Sequence, residues 1–266
     1  MGRLDKQKYG GGSWYSISAK DSGPVDMFIY DEIGGWGISA EAFVKDLRAH
    51  KGKDINLRLH TPGGDVFGGQ IIYNALRDHT GKVTTSIDGI VASMGSIIAL
   101  AGNPVRMAEN AMFVIHNPFG KIEGDAKEMR KRAAALDTIK GSMAGVYIEK
   151  SGKDLETISA WMDDETWFTA KQAKAAGFCD EIGDEIKMAA FFDLSMYKHA
   201  PESLATAYVP PKPQNERELE HILLDAGFSR SEARAVVVRG YKGIGQCDAD
   251  AAAKVAAYEI INLLRA

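Results

Sequence analysis

Cysteine is scarce in this 266-residue chain, with two residues, Cys179 and Cys247, far apart in sequence. Neither has the spacing of a metal site or a redox pair, so no metal is expected, and both are read as buried structural thiols suited to a reducing interior. An excess of one charge is also missing. With 32 basic against 36 acidic residues the net charge is −4, which gives no basis for a nucleic-acid or membrane partner. No apolar run is long enough to span a bilayer, since the longest candidate, around Ser96 to Ala101, stops at Gly102-Asn-Pro. Residues 1–12 carry charge and glycine but no apolar core of a signal peptide, so a cytoplasmic location is expected. A Gly-x-x-x-x-Gly-Lys-Ser/Thr run is absent too, so any use of ATP falls to a partner, and no cofactor is expected.

What the chain does have is one serine in an unusual setting. Ser93 lies in Gly89-Ile-Val-Ala-Ser-Met-Gly-Ser96, between the end of an apolar strand and an apolar helix, Ser96-Ile-Ile-Ala-Leu-Ala101. At such a junction free backbone N–H groups can stabilise a developing oxyanion. Serine needs a base within hydrogen-bond reach to act as a nucleophile at neutral pH, and histidine is the usual one. His116, in Met112-Phe-Val-Ile-His-Asn-Pro118, is the candidate. Each residue also has an ordinary reading, Ser93 as a helix N-cap and His116 as a strand-end residue.

A third segment joins them. Ile55-Asn-Leu-Arg-Leu-His-Thr-Pro-Gly-Gly-Asp65 reads as an alternating strand running into a Pro-Gly-Gly turn, where the missing side chains let a substrate carbonyl approach the backbone. Thr-Pro-Gly-Gly-Asp, Ala-Ser-Met-Gly and Ile-His-Asn-Pro, in that order, resemble the Clp protease proteolytic subunit (ClpP) family of serine peptidases, from about Met27 to Glu185. The resemblance implies Ser93 as nucleophile, His116 as general base, and the backbone N–H groups of Gly64 and Met94 as the oxyanion hole. The third triad member departs from the family's aspartate. Trp161-Met-Asp-Asp-Glu-Thr-Trp-Phe-Thr-Ala170 aligns Glu165 with it, ahead of Asp164 and Asp163. Either acid type can orient a histidine and stabilise its imidazolium. These acids could equally decorate a helix N-terminus, with Thr169 capping the following helix.

Alternating strand and helix patterns predict an α/β fold, and the resemblance implies the ClpP/crotonase-like right-handed spiral of ββα units. The expected organisation is a flexible arm at 1–12, a protease domain at 13–198, a Pro-rich linker at 199–213 and a small helical tail at 214–266. Apolar residues recur at helical spacing from Asp125 to about Lys150. That stretch reads either as an ordinary amphipathic helix or, by the resemblance, as the element that interlocks two rings. In the tail, Ser229 and Glu232 form a capping box. Acids offset its arginines, which favours protein docking over a DNA-binding helix-turn-helix. The tail resembles that of phage head-maturation proteases with a ClpP-like domain.

The leading expectation is a serine endopeptidase that self-associates into rings and processes phage capsid or scaffold proteins, in the cytoplasm or within a prohead. Its partners would be protein and peptide substrates, with a capsid or scaffold protein or an ATP-dependent unfoldase besides. Two alternatives stand beside it: an inactive ClpP-like ring used for docking, and a crotonase-type acyl-CoA enzyme, which the Ser–His pair opposes.

Overall fold

Ile55, Leu57 and Leu59 alternate with polar residues and are fully buried, which is the pattern of a strand with one face on a core. The computed structural model describes residues 13–19, 23–120, 123–186, 192–205, 216–225 and 229–239. Within residues 1–208, which form one compact unit, eight strands build a single mixed sheet. They are β1 (Tyr15–Ser18), β2 (Val25–Ile29), β3 (Ile55–Thr61), β4 (Val83–Ala92), β5 (Val105–Ala108), β6 (Met112–Ile115), β7 (Thr166–Thr169) and β8 (Glu181–Gly183). β2, β3, β4, β5 and β8 run parallel in that order, and β1 pairs antiparallel with β2 at the edge.

The ten-residue β4 changes partner along its length. Its first half pairs with β5 through Thr85–Ile87, and its second half pairs in parallel with β6 through Ile90–Ala92. β6 then pairs antiparallel with β7. This fork brings the end of β6 and the start of β7 beside the carboxyl end of β4, where open α/β sheets build their sites.

The helices of this unit are α1 (Ala40–Ala49), α2 (Val66–Arg77), α3 (Met94–Ala99), α4 (Ala126–Ser151), α5 (Leu155–Asp163), α6 (Ala170–Ala176) and α7 (Glu202–Ala205). α3 is apolar all round apart from Ser96, and every residue of it is buried. α4 behaves differently along its length. Met143, Ala144 and Tyr147 are buried, whereas residues 126–135 are exposed throughout. At 1.5 Å per residue that exposed part is about 15 Å of helix with no core beneath it. Met129 and Ala133, which share the expected apolar spacing, are therefore exposed, and the seam reaches the core only near the end of the helix.

Among the elements that escaped the sequence reading, α5 is capped by Asp154, whose side chain accepts from Thr157 N, and β7 occupies Thr166–Thr169 directly before the capping box of Thr169 and Gln172 on α6. Residues 192–205 also pack on the sheet. Phe192, Leu194 and Tyr197 join Ile90, Ala92 and Val114 in a second buried cluster, against which Ala200 and Leu204 pack. The unit boundary falls after Tyr208, so the start of the expected linker at 199 lies inside packed chain.

In residues 209–266, α8 (Glu216–Asp225) and α9 (Arg230–Arg239) bury Leu223, Ala233 and Val236. Ser229 and Glu232 make the reciprocal bonds of a capping box, Ser229 N to Glu232 Oε2 at 2.8 Å and Glu232 N to Ser229 Oγ at 3.4 Å. The arm at 1–12, Cys247 and the end of the expected helical tail lie outside the described residues; Cys179 is buried as a free thiol.

Candidate active site

β4 ends at Ala92 and α3 begins at Met94, so Ser93 is the whole connection. A turn that short forces it to φ 54°, ψ −127°, which is rare for a residue with a side chain and costs of order 1–3 kcal/mol. Its hydroxyl makes no cap hydrogen bond to α3, so the N-cap reading does not explain the serine. The described residues hold one other non-glycine residue at positive φ, Glu165 at 49°. The backbone is strained at two of the three positions the motif alignment selects.

The strand register carries these residues together. Ala92 of β4 pairs with Val114 of β6, so Ser93 comes level with Ile115, one residue before His116. Ile115 pairs with Thr166 of β7, so the next step sets His116 opposite Glu165. Asp163 and Asp164 are exposed, whereas Glu165 is 9% exposed. Asp163 is engaged elsewhere, accepting from Asn117 Nδ2 at 2.7 Å and Lys140 Nζ at 2.5 Å.

His116 is 6% exposed, and its Nε2 is buried without a hydrogen-bond partner. Burial depresses its pKa below the ordinary imidazole value, while the Glu165 carboxylate pulls it the other way. Among the described residues no hydrogen bond joins that carboxylate to the imidazole. Glu165 instead accepts from the backbone amides of His199 at 2.7 Å (Oε1) and Lys198 at 3.1 Å (Oε2), and from Trp167 Nε1 at 3.3 Å. Its influence on His116 is therefore through charge. Two aromatic rings flank the imidazole: Tyr197, buried, with centroids 5.2 Å apart, and Phe119, 58% exposed, at 5.6 Å.

Pro62-Gly63-Gly64 crosses in front of Ser93. A Cβ on Gly63 would sit 2.7 Å from Ser93 Cβ and 2.8 Å from Ala92 O; one on Gly64 would meet Ile33 O at 2.3 Å. Both glycines also hold positive φ, 104° and 137°, so neither position accepts a side chain. Bonds from Ile33 N to Gly63 O at 2.7 Å and from Asp65 N to Ile33 O at 3.0 Å fix the loop. Among the described residues neither the Gly64 N–H nor the Met94 N–H donates a hydrogen bond, leaving two backbone donors available beside the serine.

Further support was not legible in the sequence. Ser96 Oγ donates to the Ser93 carbonyl at 2.6 Å and lies 2.7 Å from Tyr147 Oη. That chain of contacts ties the serine turn to α4. Tyr147 carried no signal beyond helical spacing. No group of three or more potential metal ligands occurs among the described residues. No described helix is long and apolar enough to cross a membrane.

Comparison with known proteins agrees with the motifs. The Clp protease family model matches residues 15–186, from β1 to just beyond β8. The chain is 32% identical over 135 residues to a protein named ATP-dependent Clp protease proteolytic subunit 1, from Protochlamydia amoebophila (strain UWE25). That alignment covers 49% of this chain and 66% of the relative. A match spanning every strand of the sheet, on a mixed α/β fold whose serine turn, histidine and glycine loop converge, places the chain in the Clp protease family of peptidases.

Proposed function

We propose that the chain is a serine endopeptidase with Ser93, His116 and Glu165 as its triad. The observation that supports the reading is the register of β4, β6 and β7, which leaves Ser93, His116 and Glu165 each one residue beyond a neighbouring strand end. In the reaction Ser93 Oγ attacks the scissile carbonyl as His116 Nε2 takes the hydroxyl proton, and the imidazolium formed is stabilised by the Glu165 charge. The Gly64 and Met94 amides receive the oxyanion. His116 then returns the proton to the leaving amine, and a water repeats the sequence on the acyl-enzyme.

The substrates on this reading are proteins and peptides, and the finer assignment is to phage capsid and scaffold proteins. It is supported by the tail's resemblance to head-maturation proteases and by a tail that forms its own compact unit, as a docking module requires. The exposed part of α4 supports self-association into rings. The location assigned is the cytoplasm or a prohead, with an ATP-dependent unfoldase as a further partner. The test is hydrolysis of a fluorogenic peptide and of a capsid precursor by wild type and Ser93→Ala, with the particle mass measured by light scattering. Cleavage lost in Ser93→Ala supports the reading; cleavage retained, or none in the wild type, overturns it.

A further inference from the structure

The family match ends at residue 186, yet described residues beyond it also meet the site. Residues 192–205 come back across the sheet and bury Phe192, Leu194 and Tyr197 on Ile90, Ala92 and Val114. This strap meets the candidate triad at three points. The Tyr197 ring stands edge-on to the His116 imidazole, at 77° and 5.2 Å between centroids, and also contacts Trp167 at 5.5 Å. Its hydroxyl donates to the Pro62 carbonyl at 2.6 Å, one residue before the glycine pair. The next two backbone amides, of Lys198 and His199, hold opposite oxygens of Glu165, and His199 Nδ1 lies 2.6 Å from the Asp164 carbonyl.

We propose that residues 192–200 are a positioning strap for the catalytic site, with Tyr197 fixing the plane of His116 and its distance from the Pro62–Gly64 loop, and the Lys198 and His199 amides fixing the Glu165 carboxylate. The proposal deepens the serine-peptidase reading and rests on it. Glu165 has no hydrogen bond to the imidazole, so something else must set where its charge lies. Two charge-assisted bonds from consecutive amides do so. The imidazole is held at one side by the Asn117 backbone and has no partner at Nε2, so an edge-on aromatic wall restricts the ring torsion that remains. One side chain then touches the base and the loop that presents an oxyanion donor, so their spacing is set together. Burial and the Glu165 and Glu32 carboxylates raise the Tyr197 pKa, which keeps its hydroxyl a donor. The titratable groups facing His116 are Glu165, just before β7, and Tyr197 from the strap.

A strap that merely completes the core would leave the electrostatics of the base untouched. The experiment therefore follows the His116 imidazole by NMR titration in the full chain, beside kcat and KM for a fluorogenic peptide, in Tyr197→Leu and Tyr197→Phe. Leu keeps apolar volume in the cluster and so preserves the fold, but it removes the ring and the hydroxyl. In Tyr197→Leu water reaches the imidazole, the burial that depresses its pKa weakens, and its titration midpoint moves up. kcat falls on the order of 10- to 100-fold, the scale of a small misplacement of reacting groups, while KM changes less. Tyr197→Phe restores the midpoint, because the ring still walls the imidazole, but kcat recovers only in part, because the Pro62 carbonyl loses its donor. An unshifted His116 midpoint in Tyr197→Leu overturns the strap, whatever the activity does. The midpoint needs no turnover, so its failure is separable from failure of the peptidase reading, which would show as wild-type protein without Ser93-dependent hydrolysis.

Discussion

Glu165→Gln removes a charge with almost no change in volume, and the structure gives it two separate costs. The carboxylate accepts from two backbone amides on opposite oxygens and from the Trp167 indole. A glutamine carbonyl can serve one side, but its NH2 group then faces a backbone donor on the other. At least one amide loses its acceptor, at about 1 kcal/mol for a bond that is only part-buried. That corresponds to a fall in Tm of roughly 2–4 °C for a chain of this size. The catalytic cost is separate. Replacing a hydrogen-bonded triad acid by its amide costs about 10⁴-fold in kcat. On the proposed triad the acid acts through charge alone, so a smaller loss is expected, on the order of 10²-fold or about 2.7 kcal/mol. The sign of the pH effect follows from the same interaction. The Glu165 charge raises the His116 pKa against burial, so its loss lets that pKa fall further. His116 acts in its neutral form, so the acid limb of kcat/KM moves to lower pH. Peptide hydrolysis across that limb, beside a thermal melt, checks both costs. A silent Glu165→Gln with a damaging Asp164→Asn would place the acid one residue earlier. Lost activity with an unmoved limb would leave Glu165 a structural role only.

Other consequences can be checked independently. In the wild type the acid limb of kcat/KM should lie below the ordinary imidazole value of 6.5, because burial depresses the His116 pKa; a limb above that value contradicts the buried base. Tyr147→Phe takes the partner of Ser96 Oγ away and should cost about 1 kcal/mol of stability, with a several-fold fall in kcat as the Ser93 turn loosens; a calorimetric scan and a kcat measurement read the two. Glu placed at Met129, which is 47% exposed, should leave the subunit folded but lower the assembled mass and activity together; an unchanged mass by light scattering would remove α4 from the ring contact.

The parts of the fold that local sequence dictates were legible. The Ile55 strand, the capped helices and the long α4 follow from alternation, caps and helical spacing. The serine, histidine and glycine loop were proposed from three short motifs in order, of which only the glycine pair is demanded by its backbone, since both glycines hold positive φ. Glu165 could be named only by alignment, and what separates it from Asp164 is the β6–β7 register, a long-range pairing that no local pattern encodes. α5 and β7 were missed for different reasons. Asp154 signals the helix, but Trp167-Phe-Thr is too short to declare a strand without its partner. Tyr197, Lys198 and His199 gave no signal. Two of the three act through main-chain amides, which any residue type supplies, and Tyr197 is defined by what lies across the sheet from it.

The central claim is that Ser93 is a nucleophile made reactive by His116. The most direct measurement is covalent labelling of the purified protein with a fluorophosphonate probe, with the modified residue located by mass spectrometry. The adduct is expected on Ser93 in the wild type, absent in Ser93→Ala, and slowed by orders of magnitude in His116→Ala, since triad members act as a unit. No adduct on Ser93 in active wild-type protein, or labelling at an undiminished rate in His116→Ala, would contradict it.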